Sequence, residues 1–336
     1  MTSTSSTHGQ KRIVFLTGAT GFVGSHLARA LVARGHEVRA LIRRAADRWR
    51  LSDLEAIWVE GDLDDGEALR RGCEGASWVI HAAGKVKAPN PEAYLHANHT
   101  GTRNVLDAAL RAARTDRFVY ISSLAAGGPV RDGRPRAEDN SDEPMTPYGE
   151  SKLAGEREVM QSAHRLPVVS IRPPAVYGPG DTEVLAFFKA VRWHIKPIFG
   201  SRAQCLSLVH VDDLVSGILL ACESPSAPGE VFYIAEDRPY TMAELEDMIQ
   251  AALAIRAVHV HIPRWLLMAI AHAAGLCGRV GGFTPKLNPD KARDFLEQDW
   301  TCTTAKANRL LGYRSQVSFA DGARQTVAWY RDKGWL

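Results

Sequence analysis

The sequence predicts an α/β fold, a doubly wound parallel sheet with a smaller C-terminal region. Three observations predict it. Short apolar runs alternate with helical patterns through the first half of the chain, the order of βαβ units. A glycine-rich turn at Thr17–Gly24 follows the first run and opens the first helix. After a sixth run, Pro173, Pro174, Gly178, Pro179 and Gly180 punctuate the chain and the alternation loosens.

The elements follow in order. Strands are expected at Arg12–Leu16, Glu37–Ile42, Ile57–Glu60, Trp78–Ala82, Arg117–Ser122 and Val168–Arg172, where apolar residues form short uninterrupted runs. Helices are expected at Gly24–Arg34, Asn98–Ala113 and Tyr148–His164; in the second, Val105, Leu106, Ala109, Leu110 and Ala113 recur at helical spacing. Right-handed crossovers make the doubly wound sheet the default. Beyond it, helices at Val184–Arg192, Asp212–Cys222, Met242–Leu253 and Arg264–Ala274 mix with strands at Ser207–His210, Val231–Ile234 and Val258–His261. The expected organisation is a disordered Ser/Thr-rich tail over 1–10 and a dinucleotide-binding domain over 11–175, rejoined by 206–234. A substrate-binding region takes 176–205 and 235–336.

Composition narrows the function. At 336 residues the chain holds about two domains' worth and can bury a core unaided. Lys and Arg number 41 against 38 Asp and Glu, with no block of like charge, so nothing points to a nucleic-acid partner. Five scattered cysteines without a CxxC pair suggest free thiols and no metal, in keeping with a cytoplasmic location. Residues 1–10 lack the apolar core of a signal peptide. The apolar stretch Trp265–Cys277 is too short to span a bilayer, which takes about 20 residues.

The glycines of Thr17-Gly18-Ala19-Thr20-Gly21-Phe22-Val23-Gly24 are spaced GxxGxxG. Glycine there allows a tight turn and lets backbone N–H groups approach a pyrophosphate at a helix N-terminus, as in Rossmann-type domains. The second strand ends in Arg43-Arg44 with no acid before Asp47. A guanidinium suits a 2′-phosphate, so Arg43 favours NADP(H) over NAD(H). Asp62 follows the third strand, where a carboxylate can accept from an adenine amino group or serve a turn. The fourth strand ends in His81-Ala82-Ala83-Gly84, small residues that let backbone pass close to a cofactor, with His81 itself a structural residue.

Tyr148 and Lys152 are four residues apart, on one face of a helix whose N-cap would be Thr146 and first residue Pro147. An ammonium beside a phenol favours the phenolate and lowers its pKa from about 10, fitting it for proton transfer to or from an oxygen. Ser123 ends the fifth strand, at the edge where open α/β sheets place their ligands, and can bond a substrate oxygen.

With these motifs in this order, the chain resembles the extended short-chain dehydrogenases/reductases from about Lys11 to its end. The resemblance covers TGATGFVG at Thr17–Gly24, GDL at Gly61–Leu63, HAAG at His81–Gly84 and the N-x-x-G-T of Asn98–Thr102. It continues through Ser122-Ser123, YGESK at Tyr148–Lys152, RPPAVYGPG at Arg172–Gly180 and VHVDD at Val209–Asp213. It implies Tyr148 as catalytic acid/base, Ser123 on the substrate oxygen, and Lys152 holding the nicotinamide ribose. For the cofactor it implies Gly18, Thr20, Gly21, Phe22, Val23, Gly24, Asp62, Leu63, Ala82, Ala83 and Gly84, with Asn98 supporting the nicotinamide end and Pro174 near its carboxamide. It also implies a homodimer through the helices Asn98–Ala113 and Tyr148–His164, with Ala108, Ala109, Ala112 and Ala113 permitting close approach.

The family divides by substrate. Its nucleotide-sugar members usually carry an Asn where this chain has Ala175, and an Arg for the phosphates where it has Leu206. A buried diphosphate without a cation is costly. Dehydratases usually carry Asp-Glu after the catalytic Ser or Thr; here Leu124-Ala125 follows. The chain as a whole is nearest in pattern to 3β-hydroxysteroid dehydrogenase-like and dihydroflavonol reductase-like members, and the helix opening Pro263-Arg264-Trp265-Leu266-Leu267-Met268 resembles the C-terminal segment of the former. That helix could be core, a dimer contact or a shallow membrane-surface helix. Together these favour a small hydrophobic keto or hydroxy substrate. A nucleotide-sugar epimerase or dehydratase comes second, and a non-catalytic NADP(H)-binding sensor third.

Overall fold

The structure, a computed structural model, describes residues 11–44, 46, 48–112, 114–199, 204–281, 292 and 299–336. The expected tail over 1–10, Asp47 and Ala113 lie outside the described residues.

Seven parallel strands form the central sheet: β1 (Ile13–Thr17), β2 (Glu37–Ile42), β3 (Ile57–Glu60), β4 (Trp78–His81), β5 (Arg117–Ile121), β6 (Val168–Arg172) and β11 (Glu230–Tyr233). Their order is β11-β6-β5-β4-β1-β2-β3. The chain winds outward from β1 to β3 and then, from β4, outward the other way, so β1 and β4 flank the point where a crevice opens above the strand C-termini.

Alternation in β1 sorts the two sides. Val14 and Leu16 join one core with α1 (Phe22–Ala33) and α8 (Val211–Glu223). Phe15 joins the other with α2 (Gly66–Cys73), α4 (Gly101–Arg111) and α6 (Pro147–Gln161). A third core belongs to the capping region. It gathers α7 (Leu185–Arg192), α9 (Met242–Leu253) and α12 (Phe319–Asp332) around Tyr177, Leu208 and Tyr240.

Several elements differ from expectation. The helix expected to start at Asn98 starts earlier, as α3 (Pro91–Leu95), because Asn90 caps it and Pro91 sits at its first position. A π-helical turn, His96–Thr100, then joins it to α4. Ala109 is buried in the chain's own core, which removes it from the expected subunit-facing surface, and Ala108 and Ala112 are half-buried against that core. Part of 235–336 does not cap: α11 (Ala305–Leu311) returns to the sheet, with Ala307, Leu311 and Tyr313 in the α1 core. Cys73, Cys205, Cys222 and Cys302 are free thiols.

Candidate active site

The turn between β1 and α1 is built for close approach. Gly18 has φ +77°, and a Cβ there would lie 2.6 Å from the Ala82 carbonyl carbon and the Ala83 nitrogen. Gly21 is the N-cap of α1 and offers no side-chain cap, so the N–H groups of the first turn keep their donors for another acceptor. Gly24 is buried against the Gly18 carbonyl, Thr20 and Phe22 are half-buried, and Val23 packs into the sheet core. These features fit the pyrophosphate of a dinucleotide.

The adenosine end is more mixed. Arg43 is exposed just past β2. Arg44, its neighbour, donates to Glu60 at 2.6 Å and is exposed. Asp62 is already engaged: its Oδ1 accepts from the Asp64 and Asp65 amides at 2.9 and 3.1 Å and holds the turn before α2. Leu63 packs over Gly101.

His81 at the end of β4 is structural. Its ring nitrogens lie 2.6 Å from Thr17 Oγ1 and 3.0 Å from Thr102 Oγ1, and it stacks on Tyr120. Burial, helped by the Lys152 charge, holds its pKa down to about 3, so the ring is neutral. Ala82 and Ala83 are half-buried, and Gly84 is exposed at the crevice, where a Cβ would sit 2.8 Å from Asn98 Oδ1.

Asn98 stands on the π-helical turn and is fully buried. Its Oδ1 accepts from the Lys85 amide at 2.8 Å, and its Nδ2 donates to the Lys85 carbonyl at 3.0 Å and to Ser151 Oγ at 2.9 Å. It therefore positions the loop after β4 against α6. π-helical turns interrupt helices most often where a side chain must be aimed.

α6 begins as its sequence dictates, with Thr146 Oγ1 accepting from the Gly149 amide and Pro147 at the first position. Gly155 lets it lie against the π-helical turn: a Cβ there would be 2.2 Å from the Asn98 carbonyl oxygen. Lys152 is buried and donates from Nζ to the Ile121 carbonyl, with Nζ 4.3 Å from the centre of the Tyr120 ring. Burial lowers its pKa to about 7, against the opposing charge of Glu156. Glu156 is itself held by Arg172 Nε at 3.0 Å and Ser170 Oγ at 2.7 Å. Tyr148 is half-buried beside Tyr94, with ring centres 6.1 Å apart.

Ser123 caps α5 (Leu124–Gly127), its Oγ accepting from the Ala125 amide at 3.1 Å. An oxygen that accepts there keeps its own proton for donation to a ligand. Pro174 is buried, and Pro173 accepts from the Leu124 amide, so the end of β6 lies against this cap. Past it, β7 (Ala175–Tyr177) pairs with β10 (Leu208–His210), and Ala175 is exposed. Leu206, on β9 (Cys205–Leu206), is half-buried in the capping core.

The structure thus brings Gly84, Asn98, Lys152 and the β5 end that carries Ser123 to one edge of the sheet. Ser151, Gly155 and Tyr120, which support them, escape notice in sequence because their partners are distant. Among the described residues no cluster of His, Cys, Asp or Glu could hold a metal.

Comparison with known proteins accords with this geometry. The model of the NAD dependent epimerase/dehydratase family matches residues 14–235. Ceramide reductase of Caulobacter vibrioides is 33% identical over 327 residues, which cover 96% of each chain. The 4-hydroxy-2-methyl-3-oxo-4-farnesyl-3,4-dihydroquinoline-1-oxide ketoreductase of Stigmatella aurantiaca is 31% identical over 92% of this chain and 93% of its own. The structure of MoeE5 in complex with UDP-glucuronic acid and NAD superposes with a TM-score of 0.75 at 25% identity, over 95% of this chain and 99% of that one.

Proposed function

The chain belongs to the NAD dependent epimerase/dehydratase family, and from that premise we propose that it is an oxidoreductase interconverting a hydroxyl and a ketone on a hydrophobic substrate. The family binds a nicotinamide dinucleotide; in this reading the chain prefers NADP(H), through Arg43, and acts in the cytoplasm as a homodimer. The glycine turn over Gly18–Gly24 would hold the pyrophosphate, and Ala82, Ala83, Gly84 and Pro174 would line the nicotinamide end. When bound, the nicotinamide supplies a hydride to a carbonyl carbon or takes one from an alcohol carbon.

The observation that carries the proposal is the placement of Lys152. Its ammonium is buried against the Ile121 carbonyl, two residues before Ser123 and one helical turn after Tyr148. In the direction of reduction, Ser123 donates to the carbonyl oxygen and orients it. Tyr148 gives that oxygen its phenolic proton as the C–H bond forms at carbon. Lys152 supplies the positive charge that favours the phenolate left behind. In oxidation the same proton returns to Tyr148.

The substrate class rests on what lies where a sugar diphosphate would need a cation. Leu206 packs with apolar neighbours there, and Ala175 presents only a methyl group. Both relatives named above as reductases are named for large apolar molecules, ceramide and a farnesylated quinoline oxide. The test is oxidation of NADPH by long-chain and polycyclic ketones, set against a panel of nucleotide sugars. A response confined to nucleotide sugars assigns the epimerase branch instead.

A further inference from the structure

The capping region leaves an apolar face uncovered. β8 (Ile195–Phe199) and β13 (Val258–Ile262) form a parallel pair with Val258 opposite Ile195, so both project from one side, and Val260, two residues on, joins them. Val258 is 67% exposed, and Ile195 and Val260 are also exposed. Trp193 precedes β8, and Trp265 stands in the first turn of α10 (Arg264–Gly281); each is 71% exposed. Leu276, 64% exposed and eleven residues on, lies on the Trp265 side of α10. Single exposed apolar residues are ordinary, but two indoles with aliphatic side chains on connected elements form a patch.

The charge around the patch identifies its partner. Segments 184–211 and 248–289 contain no Asp or Glu and eight Lys and Arg, in a chain of 336 residues with 38 acids. Arg192, Arg256 and Arg264 are exposed in the segments that carry the apolar residues, as is His194, while His259 and His261 alternate to the opposite side of β13. Two acids approach from α9: Asp247 is paired with Lys196 at 2.6 Å, and Glu246 is buried 3.6 Å from His259. A second copy docked symmetrically would bring the same cations face to face. An anionic surface matches both the charge and the indoles, which favour the headgroup level of a bilayer. No helix among the described residues is long and apolar enough to cross a membrane, so the contact is with one leaflet.

We infer that this face seats the protein on an anionic lipid surface. The inference needs no turnover and stands or falls apart from the oxidoreductase reading. It is tested by floating the full chain with vesicles of phosphatidylcholine alone and of phosphatidylcholine with phosphatidylglycerol. The protein floats with the anionic vesicles, binds the neutral ones more weakly and is released as salt rises. Trp265→Glu with Val258→Glu abolishes flotation. Arg256→Glu with Arg264→Glu lowers partitioning at least tenfold, since each cation near an anionic surface contributes roughly a five-fold factor. All four sites are exposed, so circular dichroism and the unfolding midpoint stay close to those of the parent. Failure of the well-folded parent to float with anionic vesicles overturns the inference, as does equal binding to neutral ones. A dimer that Trp265→Glu with Val258→Glu splits, without flotation of the parent, reassigns the face to subunit contact.

Discussion

Asn98 Nδ2 donates to Ser151 Oγ across 2.9 Å, and Ser151 Oγ donates in turn to the Tyr148 carbonyl at 2.7 Å. With the reciprocal pair of bonds between Asn98 and the Lys85 backbone, this chain ties the loop after β4 to the first turns of α6. The proposed acid/base and the proposed nicotinamide edge are thus held in one hydrogen-bonded frame.

Removing the centre of that frame unpairs the Lys85 amide and carbonyl and takes a donor away from the buried Ser151 Oγ. Asn98→Leu keeps the branching of the side chain, loses every side-chain bond and adds bulk at a fully buried site, so it should cost about 2–4 kcal/mol in unfolding free energy. Turnover should fall further than stability alone explains, because Lys152 and Tyr148 lose their reference to Gly84. Urea unfolding and turnover, measured on the same preparation, check both.

Gly155→Ala sets helix propensity against packing. Propensity alone predicts a gain of roughly 0.5–1 kcal/mol. The added Cβ would fall 2.2 Å from the Asn98 carbonyl oxygen and 2.7 Å from the Tyr120 hydroxyl. Pushing α6 away should cost about 1–3 kcal/mol, so packing wins and the variant is less stable. A raised thermal midpoint contradicts the close approach.

Arg43→Ala tests the proposed cofactor preference. Loss of a charge-assisted bond to a 2′-phosphate is worth about 1.5–3 kcal/mol, so NADPH affinity should fall roughly ten- to hundredfold while NADH affinity holds. Fluorescence titration with both nucleotides decides it. Equal effects on the two would remove Arg43 from the phosphate site.

Much of this was legible in the sequence. The inner strands β4, β5 and β6 are buried on both faces, so they read as apolar runs such as Phe118–Ile121. Tyr148 and Lys152 were legible because one helical turn fixes their spacing. Other parts were not. β8 carries Pro197 and, among the described residues, pairs only with β13, so its run Ile195–Phe199 reads poorly as a strand. α12 has a readable N-cap in Ser318, yet its place in the capping core depends on Tyr177 and Leu245, far away in sequence. Asn98 was legible as a motif residue, whereas its bond to Ser151 arises from the close packing that Gly155 allows. Asp62 carried two meanings, and the structure gives its Oδ1 to the turn.

The buried His81 gives stability a defined pH dependence. Its folded pKa is held down to about 3, while an unfolded histidine titrates near 6.5. The folded state therefore binds fewer protons, so the contribution is present above about 6.5 and is lost as pH falls toward 3. Between about pH 7.5 and 5 the loss should be about 2 kcal/mol. His36 and His210 are shifted the same way by burial, so the diagnostic quantity is the difference between the parent and His81→Gln. The variant should show a flatter profile in urea unfolding; an identical slope contradicts the neutral ring.

The proposed chemistry turns on Tyr148, and the most direct measurement compares the parent with Tyr148→Phe in one cuvette. NADPH binding is followed by fluorescence, and its oxidation by hydrophobic ketones is followed by absorbance. The proposal predicts that the parent oxidises NADPH with such a ketone, and that Tyr148→Phe binds NADPH with similar affinity but loses turnover by at least a hundredfold, the scale of general acid catalysis at about 10²–10⁴. Turnover that survives the loss of the phenol would contradict it.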